Sequence, residues 1–526
     1  MKQEETMDNN LLTDAIFRID TATGTRDKRS LPGVLAGLTN DEIIAFVALQ
    51  PYQAHAWHAF LVQLAAMALH RKGLATPPTT EAHWRDLLRT LTPDWPQDEP
   101  WQLVVKDLSK PAFMQPPVPE KMLQGFKNQC AQPDRIDVLV TAKNHDIKMA
   151  RMGHAHPDNW VMALVSLQTM EGFMGAGNYG IARMNGGFAS RPGVGVRPDP
   201  ACAAHFRQDL DLLRKNRGLL LDQYPDLYRK TDGISLLWLV PWDGQTTLPL
   251  TDLDPYFIEV CRRARLASAP SGVIASISTS KTTRIQAKDF KGVLGDPWTP
   301  IKNDKENTSL TITGKGFDYA TAAKLLLGDE HYRPSPAQTQ DIKTQHREIE
   351  FFARAMARGQ GVSEGYHERR IPIPAPARVV LGRQQERAKL AEMANQRIQQ
   401  CGTMANKVLK PALLTMIQEA PEKLNFKDRR ADPWLVHLDQ RVDDTFFPAL
   451  WRSLAMTPED AQADWLNFLR QTSLEIMESA KRTLIGGGAR RYKTFVAAER
   501  TFFGSLNKQF ELFQKQPGQA KHEENT

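Results

Sequence analysis

The chain has 526 residues, of which 41% are hydrophobic and 24% charged, with a formal net charge of +7 and four cysteines. That length predicts two or three domains with ample material for buried cores, and the apolar fraction excludes an intrinsically disordered chain. The cysteines, Cys130, Cys202, Cys261 and Cys401, lie far apart with no CxxC pair, which excludes a disulfide framework and a cysteine zinc site and reads as reduced thiols.

The polar opening MKQEETMDNN does not read as a secretion signal, and the most apolar run, 60–69, is broken by Gln63 and too short to span a bilayer. The expectation is a cytoplasmic protein with no membrane partner. Charge is unevenly spread: from Arg378 onwards there are 23 Lys and Arg against 18 Asp and Glu, so the last third carries +5 of the +7. That third is the part biased towards anionic partners.

Residues 10–31 read as short strands around a polar turn, because Ile16, Phe17 and Ile19 are followed by Thr, Gly and Asp punctuation. A helix is predicted to open at Asn40, with Asp41 and Glu42 in its first turn where they suit the helix dipole, and a second over 56–71. After a further helix over 84–91, the prolines of 101–119 exclude regular helix. Residues 136–146 read as a strand ending in a polar tip of Lys143, Asn144, His145 and Asp146, either a contact loop for RNA or protein or a solvated turn.

A predicted amphipathic helix over 158–169 leads into 171–187, EGFMGAGNYGIARMNGG, where six of seventeen residues are glycine and the only charges are Glu171 and Arg183. Glycine has no Cβ and permits positive φ, so main chain here can come within hydrogen-bonding distance of a groove, a phosphate or another backbone. Arg183, Arg191 and Arg197, downstream, suit a polyanion; a loop shaped only by turns is the alternative.

Further on, 206–216 reads as helix, 234–241 as a buried strand, and 254–266 as a helix ending in Arg262, Arg263 and Arg265, which suit either the helix dipole or a phosphate. Residues 272–283 alternate as a strand does, followed by Lys288 and Lys291. Helices over 320–327 and 339–358 precede 359–376, GQGVSEGYHERRIPIPAP, a glycine tip and then a stiff extended strut that marks a domain boundary.

From Val379 the sequence is helical: 379–420 with a kink at Pro411, then 434–454, then a helix capped by Thr457 with Pro458 at its first position, then a fourth after 486–488. Ala461, Trp465, Phe468, Leu469, Thr472 and Ile476 make one apolar face, and Tyr492, Phe495, Phe502, Leu506, Phe510 and Phe513 another; both read as bundle core. The predicted fold class is α+β: a large mixed N-terminal domain, 1–376, then a C-terminal four-helix bundle, 377–516, and a disordered polar tail, 517–526.

No Walker-type loop, HExxH, nucleophile elbow or nuclease-like carboxylate cluster occurs, so no catalytic residue, metal ligand or cofactor is predicted and the chain reads as a recognition subunit. NLLTD at 10–14, PAFMQ at 111–115, GFMGAG followed by RMNGG, EGYHERR at 364–370 and the terminal bundle, in that order, resemble the CasA family, the large subunits of type I-E CRISPR Cascade complexes.

The resemblance implies a non-catalytic subunit that reads the protospacer-adjacent motif (PAM) of double-stranded target DNA from the minor groove while guide RNA (crRNA) reads the rest. It implies a DNA-contacting glycine loop at Gly172, Gly175, Gly177 and Asn178, a lysine finger at Lys288 with Lys291 as second choice, and a duplex-opening wedge within 359–365. Counting back from Glu368, Arg369 and Arg370 puts Val362, Ser363 and Glu364 at the wedge, with Gln360 the nearby glutamine. Minor-groove edges offer mostly acceptors in a degenerate pattern, which main-chain N–H groups and one lysine can read tolerantly.

The resemblance further implies that Lys143, Asn144, His145 and Asp146 dock near the 5′ handle of the crRNA, and that the bundle contacts the complex's small helical subunit and opened DNA. Backbone subunits and a helicase-nuclease complete the implied partners. The cysteine-rich zinc element of some family members has no counterpart here. The residues alone leave two other readings open: an RNA-protein scaffold that does not read PAM, and a metal-dependent nuclease using His145, Asp146, His154 or His156.

Overall fold

The computed structural model describes residues 9–137, 155–198, 202–270, 272–328, 330–339, 348–359, 362–484 and 489–514. The chain forms two compact units, one of residues up to Phe317 together with Gly328–Ile373, the other of Asp318–Leu327 together with Pro374 onwards. Its class is the α+β arrangement of sheets with helices first and helices alone last.

The first unit is organised around the helices Ala54–Arg71 and Pro157–Met170, whose residues are buried on nearly every side. A helix apolar all round belongs inside; these two pack on one another, and Ala54–Arg71 also packs on the longer helix Cys202–Gln223. The unit's antiparallel sheets include Phe17–Thr21 with Arg26–Arg29 and Ile43–Phe46, Gly272–Ser278 between Asn128–Cys130 and Arg263–Ala269, and Ile349–Gly359 between Gly193–Pro198 and Val362–Pro372. The last contains the longest strand pair, two eleven-residue strands forming a hairpin.

Several expected elements are different. The first helix is Leu31–Thr39, capped by Ser30, whose hydroxyl accepts from the Gly33 N–H at 3.1 Å, and Asn40 ends it. Ser30 with Pro32 in the first turn is the stronger start signal, and Asp41 sits at φ +62° in the turn to Ile43–Phe46. Residues 254–266 are two strands, Leu253–Ile258 and the start of Arg263–Ala269, and 349–358 lie in a strand, not a helix. Both runs are buried on both faces, so neither shows the alternation that identifies a strand. The strand at 234 stops at Leu236 and continues as a 3-10 turn, Leu237–Leu239. Pro374 and Pro376 open the helix Ala375–Leu381 in place of an extended strut, because proline's fixed φ suits a first helical turn.

The second unit is built on Gln384–Thr403, Asp432–Arg452, Pro458–Thr483 and Ala489–Gln509, with Ala375–Leu381 and Lys410–Ile417 as shorter segments. A π-helical stretch, Met404–Leu409, precedes Pro411, the position where a proline ring removes a helix hydrogen bond. Thr457 caps its helix as its sequence predicts, accepting from the Asp460 N–H at 3.2 Å. Trp465, Leu469, Thr472, Ile476, Phe502, Leu506 and Phe510 are buried, whereas Tyr492 is 71% exposed and lies off the core face. Tyr319–Leu327 belongs to this unit: the Tyr319 N–H donates to Asp443 Oδ1 at 2.7 Å and its ring lies 5.1 Å from that of Phe446.

Candidate nucleic-acid interface

The glycine stretch forms a loop with a closed neck and an open tip. At the neck, the buried Glu171 carboxylate receives two hydrogen bonds from the Arg358 guanidinium, at 2.7 and 3.3 Å. Arg262 reinforces the same place, donating to the Gly172 carbonyl at 3.0 Å and to the Tyr179 carbonyl. Gly172 itself is buried, and a Cβ there would lie 2.4 Å from the carbonyl oxygens of Ala189 and Gly187. Its missing side chain is used for the protein's own packing.

Beyond the neck the chain turns outwards. The Asn178 N–H donates to the Gly175 carbonyl at 3.0 Å and the Met174 N–H to the Asn178 carbonyl at 2.9 Å, closing a tight turn. Gly175 has φ +106° and nothing within 4 Å of a Cβ built on it, and Ala176 is exposed. Gly177, at φ +85°, lies against Thr279, and the Ser280 N–H donates to its carbonyl at 3.0 Å. The main chain open to a partner is therefore Gly175 and Ala176.

The downstream arginines do not face outwards. Arg183 and Arg191 are buried around Asp296, with Arg191 at 2.6 Å and Arg183 at 3.9 Å, and Arg183 also lies 3.8 Å from the centre of the Phe257 ring. Arg197 pairs with Glu350. A polyanion is excluded from Arg183 and Arg191 by burial; all three are fasteners. The same correction applies to Arg265, whose guanidinium donates to the carbonyls of Lys110 at 2.9 Å and Val105 at 3.3 Å, holding the proline-rich segment where a phosphate or a helix end was expected. Glu259 Oε1 accepts from the Ala182 N–H at 2.6 Å, and burial pushes this carboxyl up to about 7.

Lys288 lies exposed in the 3-10 turn Lys288–Phe290, and among the described residues no carboxylate pairs with it. Lys291 takes the left-handed conformation, φ +48°, and its ammonium is 2.7 Å from Glu306. This turn is fastened to the glycine stretch: a Cβ on Gly292 would lie 2.8 Å from the Arg183 carbonyl oxygen, the Ser309 N–H donates to the Lys291 carbonyl at 3.1 Å, and Asn185 donates to the Ser309 carbonyl at 3.0 Å.

Val362, Ser363 and Glu364 lie at the turn end of the long hairpin; Gln360, the other wedge candidate, lies outside the described residues. Arg358 pairs with Ser363 and Ala357 with Gly365, so Glu364 is the extra residue of a β-bulge. Its carboxylate lies over Gly314 and Gly359, where added Cβ atoms would come within 2.8 and 2.7 Å of it. Val362 is left exposed at the end. The hairpin is stitched to the loop's far side by Ser190, whose N–H donates to the Met356 carbonyl at 2.9 Å and whose hydroxyl accepts from the Met356 N–H at 2.7 Å.

The glycine stretch, the lysine turn and the hairpin are thus fastened to one another at their bases within the first unit. Lys143, Asn144, His145, Asp146 and His154 lie outside the described residues, and His156 precedes the helix Pro157–Met170, where its N–H donates to Asn159 at 3.0 Å. One exposed residue beside the tip was missed by sequence reasoning: Lys281, whose carbonyl accepts from the Tyr179 hydroxyl at 3.1 Å. The strand expected over 272–283 ends at Ser278, which frees Thr279 to Lys281 to wrap Gly177. A Ser-Lys pair after an apolar alternation is the only signal of it.

Among the described residues no helix is long and apolar enough to cross a membrane. No protein-family model and no curated protein matches the chain. Solved structures do: CasA (Cse1) of Thermus thermophilus, at 15% identity and TM-score 0.59 over 95% of this chain and 100% of that one, and Cse1 of Acidimicrobium ferrooxidans, at 14% and 0.61 over 95% and 98%. A chain of a CRISPR RNA-guided surveillance complex matches at 14% and 0.58 over 94% and 99%. The chain has the CasA/Cse1 fold along nearly its whole length.

Proposed function

We propose that this chain is the non-catalytic large subunit of a Cascade-type, crRNA-guided surveillance complex, in which it reads the PAM of double-stranded DNA from the minor groove and opens the first base pairs for pairing with the guide. The reading rests on an open glycine tip, an exposed lysine turn and a hairpin, held by segments fastened to one another in one unit of a CasA/Cse1-fold chain.

In this assignment Gly175 and Ala176 place main chain against base edges, where a side chain would hold it away. Lys288, with Lys281 beside the tip, supplies donors to minor-groove acceptors and phosphates. Val362 is the apolar residue placed to wedge between base steps, and Glu364, folded back over Gly314, keeps its charge away from the phosphates. Unstacking costs a few kcal/mol per step, which pairing with the crRNA recovers. The basic second unit contacts the small helical subunit and displaced DNA, the segment containing Lys143 to Asp146 docks by the crRNA, and the DNA-bound state recruits the helicase-nuclease.

The test is a gel shift at stated salt, with the other Cascade subunits and crRNA assembled with and without this chain and offered target duplexes with a randomised flank. Binding that requires the chain and selects a few flanking bases is expected. Binding indifferent to the flank overturns PAM reading and leaves a scaffold.

A further inference from the structure

Away from the interface, three ligand-type side chains converge in the core of the first unit. His58 projects from the helix Ala54–Arg71, and His205 and Asp209 from successive turns of Cys202–Gln223. The two imidazoles stack with centroids 3.8 Å apart and planes within 12°, and their Nε2 atoms lie 2.8 and 3.1 Å from the same carboxylate oxygen, Asp209 Oδ2. The Trp298 indole N–H donates to that oxygen too, at 2.7 Å. Asp209 is wholly buried, His205 nearly so, and His58 largely so.

As a hydrogen-bond cluster this arrangement is over-subscribed. One carboxylate oxygen has two in-plane lone pairs, and three ring nitrogens crowd it. The third, His205 Nε2, is off the angle that a hydrogen bond requires and is left as a buried polar atom without a partner. A cation between the three groups removes the conflict, because both imidazoles then offer lone pairs to it and only Trp298 needs the oxygen as an acceptor.

We propose that His58, His205 and Asp209 hold a divalent transition-metal cation, zinc by ligand chemistry, that fastens the helix Ala54–Arg71 to the helix Cys202–Gln223. Two imidazoles and a carboxylate are a usual zinc set, with bonds of about 2.0–2.2 Å. The three ligand atoms lie within 4.8 Å of one another, so small side-chain adjustments give them room for the ion. The nearby Arg197 guanidinium is itself paired with Glu350, which lessens its opposition to a second cation. A carboxylate and Trp298 at full burial suit a structural fastener, with water or the second carboxylate oxygen completing the shell.

The experiment uses the untagged full chain. Elemental analysis is expected to find one zinc, or another transition metal, per chain, and His205→Gln to lose it; a chelator lowers the Tm and added zinc restores it. Because the variant can fail to fold, the chelated wild type is also titrated with cobalt(II), whose visible bands for a low-coordinate site are expected to saturate at one equivalent. A metal-free chain whose Tm ignores both chelator and zinc and which gives no cobalt bands overturns the proposal, as does metal retained equally by folded His205→Gln.

Discussion

Glu171 and Arg358 form a two-pronged ion pair, 2.7 Å at its shorter contact, buried between the neck of the glycine loop and the strand that runs to the hairpin end. The two residues are 187 positions apart. The pair makes loop and hairpin mechanically one piece. Removing the carboxylate takes the main ion-pair partner from a buried guanidinium, so Glu171→Ala is expected to lower stability by about 3–5 kcal/mol. Chemical denaturation checks this, and a loss below about 1 kcal/mol would show that the pair is solvated in practice.

The glycines of the loop should separate by role. Gly172→Ala forces a Cβ into two carbonyl oxygens and is expected to lower the Tm with DNA binding following only as the fold is lost. Gly175→Ala meets open space and carries only the strain of φ +106°, about 1–2 kcal/mol, yet puts a methyl between main chain and bases. It should keep most of the Tm and weaken PAM-dependent binding. Equal Tm losses in both variants, with binding unchanged in Gly175→Ala, would remove the tip from the interface.

Lys288 and Lys291 are distinguished by Glu306. Lys291 already has a carboxylate partner at 2.7 Å, whereas Lys288 is exposed and, among the described residues, has no such partner. In the assembled complex, Lys288→Ala is expected to weaken target binding and reduce the slope of log K against log salt by about 1, with Lys291→Ala changing less. Measurement at several salt concentrations decides it; a larger effect from Lys291 would reverse the assignment.

Glu259 makes the loop's support sensitive to pH. Its folded-state carboxyl is raised from 4.5 to about 7 by burial, so between those values the folded protein holds a proton that the unfolded chain has lost. That contribution is fully present below pH 4.5 and disappears as pH rises through 7. Glu259→Gln keeps an acceptor for the Ala182 N–H without the titration, so its stability relative to wild type should rise across this window, by up to about 3 kcal/mol. Thermal melts of both proteins from pH 5 to pH 8 test the sign; a constant difference would show that Glu259 does not titrate there.

The α+β class, with helices alone at the end, was legible because it depends on local signals: the long apolar helical runs read at 56–71 and 158–169, the Thr457-Pro458 cap and the aromatic faces around Trp465 and Phe502. Residues 349–358 were not, since Ala, Met, Arg and Glu favour helix and a strand buried on both faces has no alternation to oppose them. The glycine loop was visible as composition, but its division into a packed neck and an open tip depends on Arg262, Arg358 and the carbonyls of Gly187 and Ala189. The arginines read as facing a polyanion show the same limit, for their partners Asp296 and Glu350 come from distant chain. His58 and His205 are similarly separated, and no spacing rule joins them.

The helix Tyr319–Leu327 has a place in time as well as in space. The ribosome releases it before Cys401, Asp443 and Phe446, the residues it docks against, exist as chain. Nine residues are too few to hold a helix unaided, so this segment must wait, unfolded, until the later residues of its own unit have been synthesised. A gene cut ahead of Pro374 therefore yields a second unit missing an early-made part, and a gene cut after Ile373 yields a first unit with an apolar segment, Tyr319 to Leu327, that has nowhere to dock.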